Sequence, residues 1–255
     1  MRALLAALTL LLMATPAWAA PETKTLDAPR GAKVPVAIHV PAAKAPFADA
    51  EGKRPVLLIA PGQGYHMGLP LIAGLAEEAA LAGLVAYRFD WAYTAAKGRP
   101  APDLASEIED METALQALLA DPRVDPSRVF IAGKSLGTLV SYRVFAAHPA
   151  LKALFLLTPV GRGGVETNYP QLAETKRPIL MTLGNRDPLC PLPVLYAALA
   201  KTKGNVATLV VAGDHGMNVG DWRDPAFKER NAANIRAALE GTVHWMRLAL
   251  EAESD

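Results

Sequence analysis

The sequence predicts an α/β fold: a mostly parallel central sheet with helices on both faces and no large cap domain. Three observations predict it. Short apolar runs recur along the chain, most of them followed by a segment with helical spacing. The runs in the middle of the chain are continuously apolar, as strands buried on both faces are. Gly, Pro and Asp gather between the segments, where turns belong.

The elements follow in order. Val34, Val36, Ile38 and Val40 alternate, as in a half-buried antiparallel strand. Residues 41–54 are rich in Ala, Pro and Lys and read as a surface loop. Pro55 to Ala60 is an unbroken apolar strand, Leu69 to Leu81 a helix, and Leu84 to Phe89 the next strand. Leu104, Ile108, Met111, Leu115 and Leu118 recur at helical spacing, with Asp103 or Ser106 expected at the N-cap. Val129 to Ala132 reads as a strand, Ser135 to Ala147 as a helix and Leu151 to Leu157 as a strand. Ile179 to Leu183 and Ala207 to Val211 complete the strands, and Asp224 to Glu251 is mostly helical. Such a β-α-β-α rhythm closes into a parallel sheet through right-handed crossovers. Residues 159–177 are the longest irregular stretch, too short for a separate cap domain but long enough for a small lid.

The first nineteen residues differ from the rest. Met1-Arg2 is followed by an apolar run from Ala3 to Ala14, then Pro16 and the small-x-small group Ala17-Trp18-Ala19. That is the pattern of a cleavable signal peptide, cut after Ala19. The apolar run is too short for a bilayer, which needs roughly 20 residues. The expected organisation is a leader (1–19), an N-terminal strand and loop (20–54) and one α/β domain (55–255). The expected location is periplasmic or secreted, with no membrane anchor after cleavage. Loss of Arg2 leaves 25 basic residues against 25 acidic ones, and no charge block exists, so nucleic-acid binding is not expected. Cys190 is the single cysteine, which excludes an internal disulfide. Hydrophobic residues make up 51% of the chain, enough for a large core, and a monomer is expected.

Gly133-Lys134-Ser135-Leu136-Gly137 is the pattern that carries chemistry. Gly-x-Ser-x-Gly alone is weak, since a chain this long matches it by chance on the order of one time in ten. Here it follows an apolar strand and opens a helix, the setting of a nucleophile elbow. The turn is so tight that side chains two before or two after the serine would collide, hence the glycines. Ser135 is thereby presented at a helix N-terminus, where developing negative charge is favoured.

A serine needs a base, and the base needs a carboxylate to orient it. Of five histidines, His215 and His244 follow a plausible acid. His215 lies just past a strand in Gly213-Asp214-His215-Gly216, whereas His244 falls inside the terminal helix. Asp187 follows the strand Ile179–Leu183 in a turn, at the sheet edge where such folds place their sites. Asp214 is adjacent to His215, which suits backbone capping better than orienting the ring. The tetrahedral oxyanion needs two N–H donors: Leu136, after the nucleophile, and one from Pro61-Gly62-Gln63-Gly64-Tyr65, with Gln63 favoured by position. Tyr65, His66, Trp91, Tyr93 and Tyr169 are candidate pocket walls. A dinucleotide reading of Gly62-x-Gly64, with Asp90 on a ribose, fails because the third glycine is Gly68, one place late. No metal cluster, phosphate loop or cofactor signature occurs, so no cofactor is expected.

With these residues placed, the chain resembles the α/β-hydrolase superfamily, in its small dienelactone-hydrolase-like branch. Within that branch it is similar to the group of testis-expressed protein thirty and the third regulatory subunit of the nonspecific lethal complex. The likeness rests on Arg88-Phe89, Gly98-Arg99-Pro100-Ala101-Pro102-Asp103, the Ser135 pentapeptide, Arg186-Asp187-Pro188 and Asp214-His215-Gly216-Met217. It covers roughly residues 55–250 and departs at Pro61, where many relatives have histidine, and at Leu136, where methionine is common. The resemblance implies an α/β-hydrolase fold and catalytic roles for Ser135, Asp187 and His215. The expectation is an exported serine hydrolase acting on a small-molecule carboxylic ester through an acyl-enzyme. The alternatives are a binding or scaffold protein on this fold, or a peptidase or thioesterase with the same three residues.

Overall fold

The computed structural model describes residues 20–251, so the leader expected at 1–19 lies outside the described residues. Eight strands form one sheet in the order β1-β2-β4-β3-β5-β6-β7-β8. The strands are β1 (Glu22–Asp27), β2 (Lys33–His39), β3 (Arg54–Ala60), β4 (Val85–Phe89), β5 (Val124–Lys134), β6 (Ala153–Leu157), β7 (Ile179–Gly184) and β8 (Val206–Val211). β1 and β2 pair antiparallel, β2 meets β4 antiparallel, and every later pairing is parallel. The helices are α1 (Pro70–Leu81), α2 (Ala92–Ala95), α3 (Ala105–Leu119), α4 (Leu136–Ala147), α5 (Val165–Asn168), α6 (Leu192–Leu199) and α7 (Phe227–Glu251).

The sheet divides two cores because strand side chains alternate. Val56, Leu58 and Ala60 of β3 join Met111 and Leu115 of α3 and Val140 and Phe145 of α4. Leu57 and Ile59 face the other way, onto Leu71, Ile72 and Leu75 of α1 and Leu239, Val243 and Met246 of α7. Continuous apolar runs are what such a doubly covered strand requires.

Four elements lie outside the sequence expectations: β1, α2, α5 and α6. β1 reads Glu-Thr-Lys-Thr-Leu-Asp, almost wholly exposed, and exists because its backbone pairs with β2. Its charges suit a sheet edge, where they discourage pairing with another chain. α2 is one turn, and α6 buries only Leu195 fully. The expected cap of α3 is corrected: Leu104 holds the N-cap position at φ 64°, while Asp103 Oδ1 accepts the Ala105 N–H at 3.1 Å. Ser106 lies inside the helix and caps nothing. The stretch 159–177 is a strap, not a cap domain: Val165, Tyr169 and Leu172 are buried in the core shared with α3 and α4.

Candidate active site

β5 ends at Lys134 and α4 begins at Leu136, leaving Ser135 alone in the turn at φ 53° and ψ −116°. That conformation is costly and holds only because the surroundings enforce it. The Ser135 N–H donates to the Leu157 carbonyl at 3.0 Å, and its own carbonyl accepts the Thr138 N–H at 2.8 Å. A Cβ on Gly133 would lie 2.2 Å from the Gly137 oxygen, and one on Gly137 2.6 Å from the carbonyl oxygens of Ala60 and Pro61. Both glycines are thus required by close backbone approach.

Asp187 and His215 come from the loops after β7 and β8. Gly184 lets those loops touch, since a Cβ there would sit 2.4 Å from the Gly213 oxygen. The Gly213 N–H donates to Asn185 Oδ1 at 3.1 Å, and the Arg186 N–H to the Gly213 carbonyl at 2.8 Å. Asp187 Oδ1 accepts the amides of Leu189, at 2.8 Å, and Cys190, at 3.3 Å. Its Oδ2 lies 2.8 Å from His215 Nδ1, and His215 Nε2 lies 2.8 Å from Ser135 Oγ. With the carboxylate ionised, Nδ1 carries the imidazole proton and Nε2 is left to accept from the serine. The Asp187 side chain is wholly buried and that of His215 is 19% exposed, so the chain of hydrogen bonds runs from the interior to the surface. Asp214 serves the backbone instead: its Oδ1 accepts the N–H of Gly216 at 2.8 Å and of Asn218 at 2.9 Å. His244 lies exposed on α7, away from these groups.

The loop after β3 lies against Ser135. A Cβ on Gly62 would be 3.2 Å from Ser135 Cβ and 3.1 Å from Lys134 Cδ. Gln63, next along, is exposed, and the Leu136 amide opens α4, where N–H groups have no partner within the helix. The loop is pinned from below. The Met67 N–H donates to Asp90 Oδ1 and the Met67 carbonyl accepts from Arg88 Nη1, both at 2.6 Å. Arg88 Nε donates to His39 Nε2 at 2.9 Å. Burial first, and then the Arg88 charge, push the His39 pKa down to about 4, so its ring stays neutral and able to accept. Sequence reasoning missed this anchor and weighed Asp90 as a ribose ligand. The only available signal was an arginine and an aspartate closing an otherwise apolar strand.

Two pocket assignments are corrected. Trp91 is fully buried, edge-on to Phe89, and its Nε1–H donates to the Pro61 carbonyl at 3.0 Å. It carries the loop rather than lining a cleft. Tyr169 is also buried, its hydroxyl 2.8 Å from both Thr138 Oγ1 and the Val160 N–H. Of the others, His66 is exposed, and Tyr65 and Tyr93 are half-buried. Burial pushes the Tyr93 pKa up to about 12. Trp91→Ala is expected to cost about 3–5 kcal/mol, as removal of a large buried aromatic does. Urea denaturation checks this, and a loss below about 1 kcal/mol would contradict the packing described.

Side chains delivered to one edge of a parallel sheet from the turns after β5, β7 and β8 form the α/β-hydrolase arrangement. A family profile described as an alpha/beta hydrolase domain matches residues 53–245, and the chain belongs to that family. Among solved structures, the chain is similar to an α/β serine hydrolase without lid from Xanthomonas campestris. The identity is 20% and the TM-score 0.66, covering 88% of this chain and 94% of that one. It is also similar to an α/β serine hydrolase homologue from Coxiella burnetii, at 19% identity and TM-score 0.65, covering 87% and 96%. A third is the esterase domain of a Rhodothermus marinus protein, at 15% identity and TM-score 0.63, covering 89% and 98%. At such identities the likeness is one of fold. No curated protein matches the chain. Among the described residues, no cluster of three metal-ligating side chains occurs, and no helix is long and apolar enough to cross a membrane.

Proposed function

We propose that this protein is a serine hydrolase that cleaves a small carboxylic ester through an acyl-enzyme. The observation that carries the reading is the unbroken chain of hydrogen bonds from Asp187 Oδ2 through His215 to Ser135 Oγ, each 2.8 Å long. Ser135 Oγ attacks the ester carbonyl while His215 Nε2 takes its proton. Asp187 holds the ring and stabilises the imidazolium that forms. The oxyanion is received by the amides of Leu136 and Gln63. The tetrahedral intermediate collapses as His215 protonates the departing alcohol. Water, activated by the same histidine, then releases the acid and restores Ser135. We place the enzyme in the periplasm or outside the cell, on the strength of the signal-peptide pattern in the sequence at 1–19, and as a monomer.

The test is a panel of p-nitrophenyl esters of increasing acyl length, run beside matched anilides and thioesters on the mature protein. The expected result is ester turnover exceeding the others. Faster anilide or thioester cleavage would move the substrate to a peptide or a thioester. No turnover, together with a Ser135 inert to a fluorophosphonate, would overturn the hydrolase reading and leave a binding protein.

A further inference from the structure

Lys134 has no part in the chemistry above, yet it is placed beside it. Its stem passes under Gly62, and it is only 6% exposed. By strand alternation it points toward the α1–α7 face, as Phe130 and Ala132 do. There its Nζ lies 4.7 Å from the centre of the Tyr65 ring. Tyr65 is itself anchored, its hydroxyl accepting the Leu71 N–H at 3.0 Å as α1 begins. An ammonium taken from water onto a ring face is worth most when it is desolvated in this way.

We propose that Lys134 is a positioning residue: its ammonium, seated on the Tyr65 ring, braces the loop Pro61–Tyr65 against Ser135 and so holds the Gln63 amide at the reacting carbonyl. This rests on the hydrolase reading for its catalytic consequence, but the bracing itself does not. The charged and titratable groups that face the lysine are Tyr65 from the loop after β3, Asp187 from the loop after β7 and Asp214 from the loop after β8. Burial pushes its pKa down to about 8, against the opposing pull of the two carboxylates. The brace is charged below that pH and neutral above it.

The experiment has two arms. In the first, hydrogen–deuterium exchange at constant neutral pH compares wild type with Lys134→Met, which keeps the stem and removes the charge. Exchange at the amides of residues 62–66 is expected to rise several-fold, and unchanged exchange would overturn the proposal whatever the protein hydrolyses. In the second, pH–rate profiles of ester hydrolysis are recorded. Wild-type kcat should fall as pH rises past about 8. Lys134→Met should lower kcat about tenfold with KM little changed, and should lack that alkaline fall. Lys134→Arg, which stays charged and stacks on the ring, should restore the rate and extend it to higher pH. Tyr65→Leu, which leaves the lysine in place, should lower kcat like the methionine variant. A methionine variant with wild-type kcat and an unaltered alkaline limb would also overturn the proposal. Absence of ester turnover in the wild type strikes the hydrolase reading instead, and the exchange arm still decides the brace.

Discussion

Ser135→Ala is expected to lower kcat for any ester substrate by about five to six orders of magnitude, the scale seen when the nucleophile of such a triad is removed. The variant keeps every backbone contact of the turn, including the Ser135 N–H to the Leu157 carbonyl. Alanine bears the same positive-φ cost as serine, so the fold has no new strain to absorb. Among the described residues, the side-chain hydrogen-bond partner lost is the imidazole of His215. The melting temperature should therefore stay within a few degrees of the wild type, which separates lost chemistry from lost structure. What activity remains reports the oxyanion donors and binding alone, which in such enzymes keep roughly 10³–10⁴ over water. A fluorophosphonate should label the wild type and not the variant. Equal labelling of the two would remove Ser135 from its assigned role.

Asp187→Asn is the second large effect, about 10⁴ in kcat. The cause is a tautomer rather than a lost contact. Asn Oδ1 can still accept the Leu189 amide, so the turn after β7 is retained. The other end of the amide becomes a donor facing His215 Nδ1, 2.8 Å away. The ring must then carry its proton on Nε2, where it donates to Ser135 Oγ and cannot take the proton that attack releases. Asp214→Asn is the internal control, because Asp214 serves backbone amides and not the imidazole. If that change cost more than Asp187→Asn, the orienting carboxylate would have to be reassigned.

Much of this site was legible before folding was considered, and the reason is local. The Ser135 turn is written in five consecutive residues, since the glycines answer to atoms only a few positions away or on the adjoining strand. Asp187 and His215 were legible because each follows an apolar strand, and parallel sheets gather strand ends at one edge. Aromatic residues near the site were not legible in the same way. Trp91 and Tyr65 stand in similar loop contexts, yet one is sealed under Pro61 and the other holds a lysine on its ring. Nothing in the neighbouring letters distinguishes them.

The sequence by itself determined the fold class, the chain order in which Ser135, Asp187 and His215 follow their strands, and these three residues as neighbours to be sought. Hydrophobic period and turn chemistry are properties of a few consecutive residues, so they survive reading one residue at a time. Only the tertiary structure decided that β1 exists, that His39, Arg88 and Asp90 anchor the loop facing Ser135, and that Lys134 is buried on Tyr65. Each depends on partners from separate strands and loops, whose meeting is set by sheet pairing and core packing rather than by any local pattern.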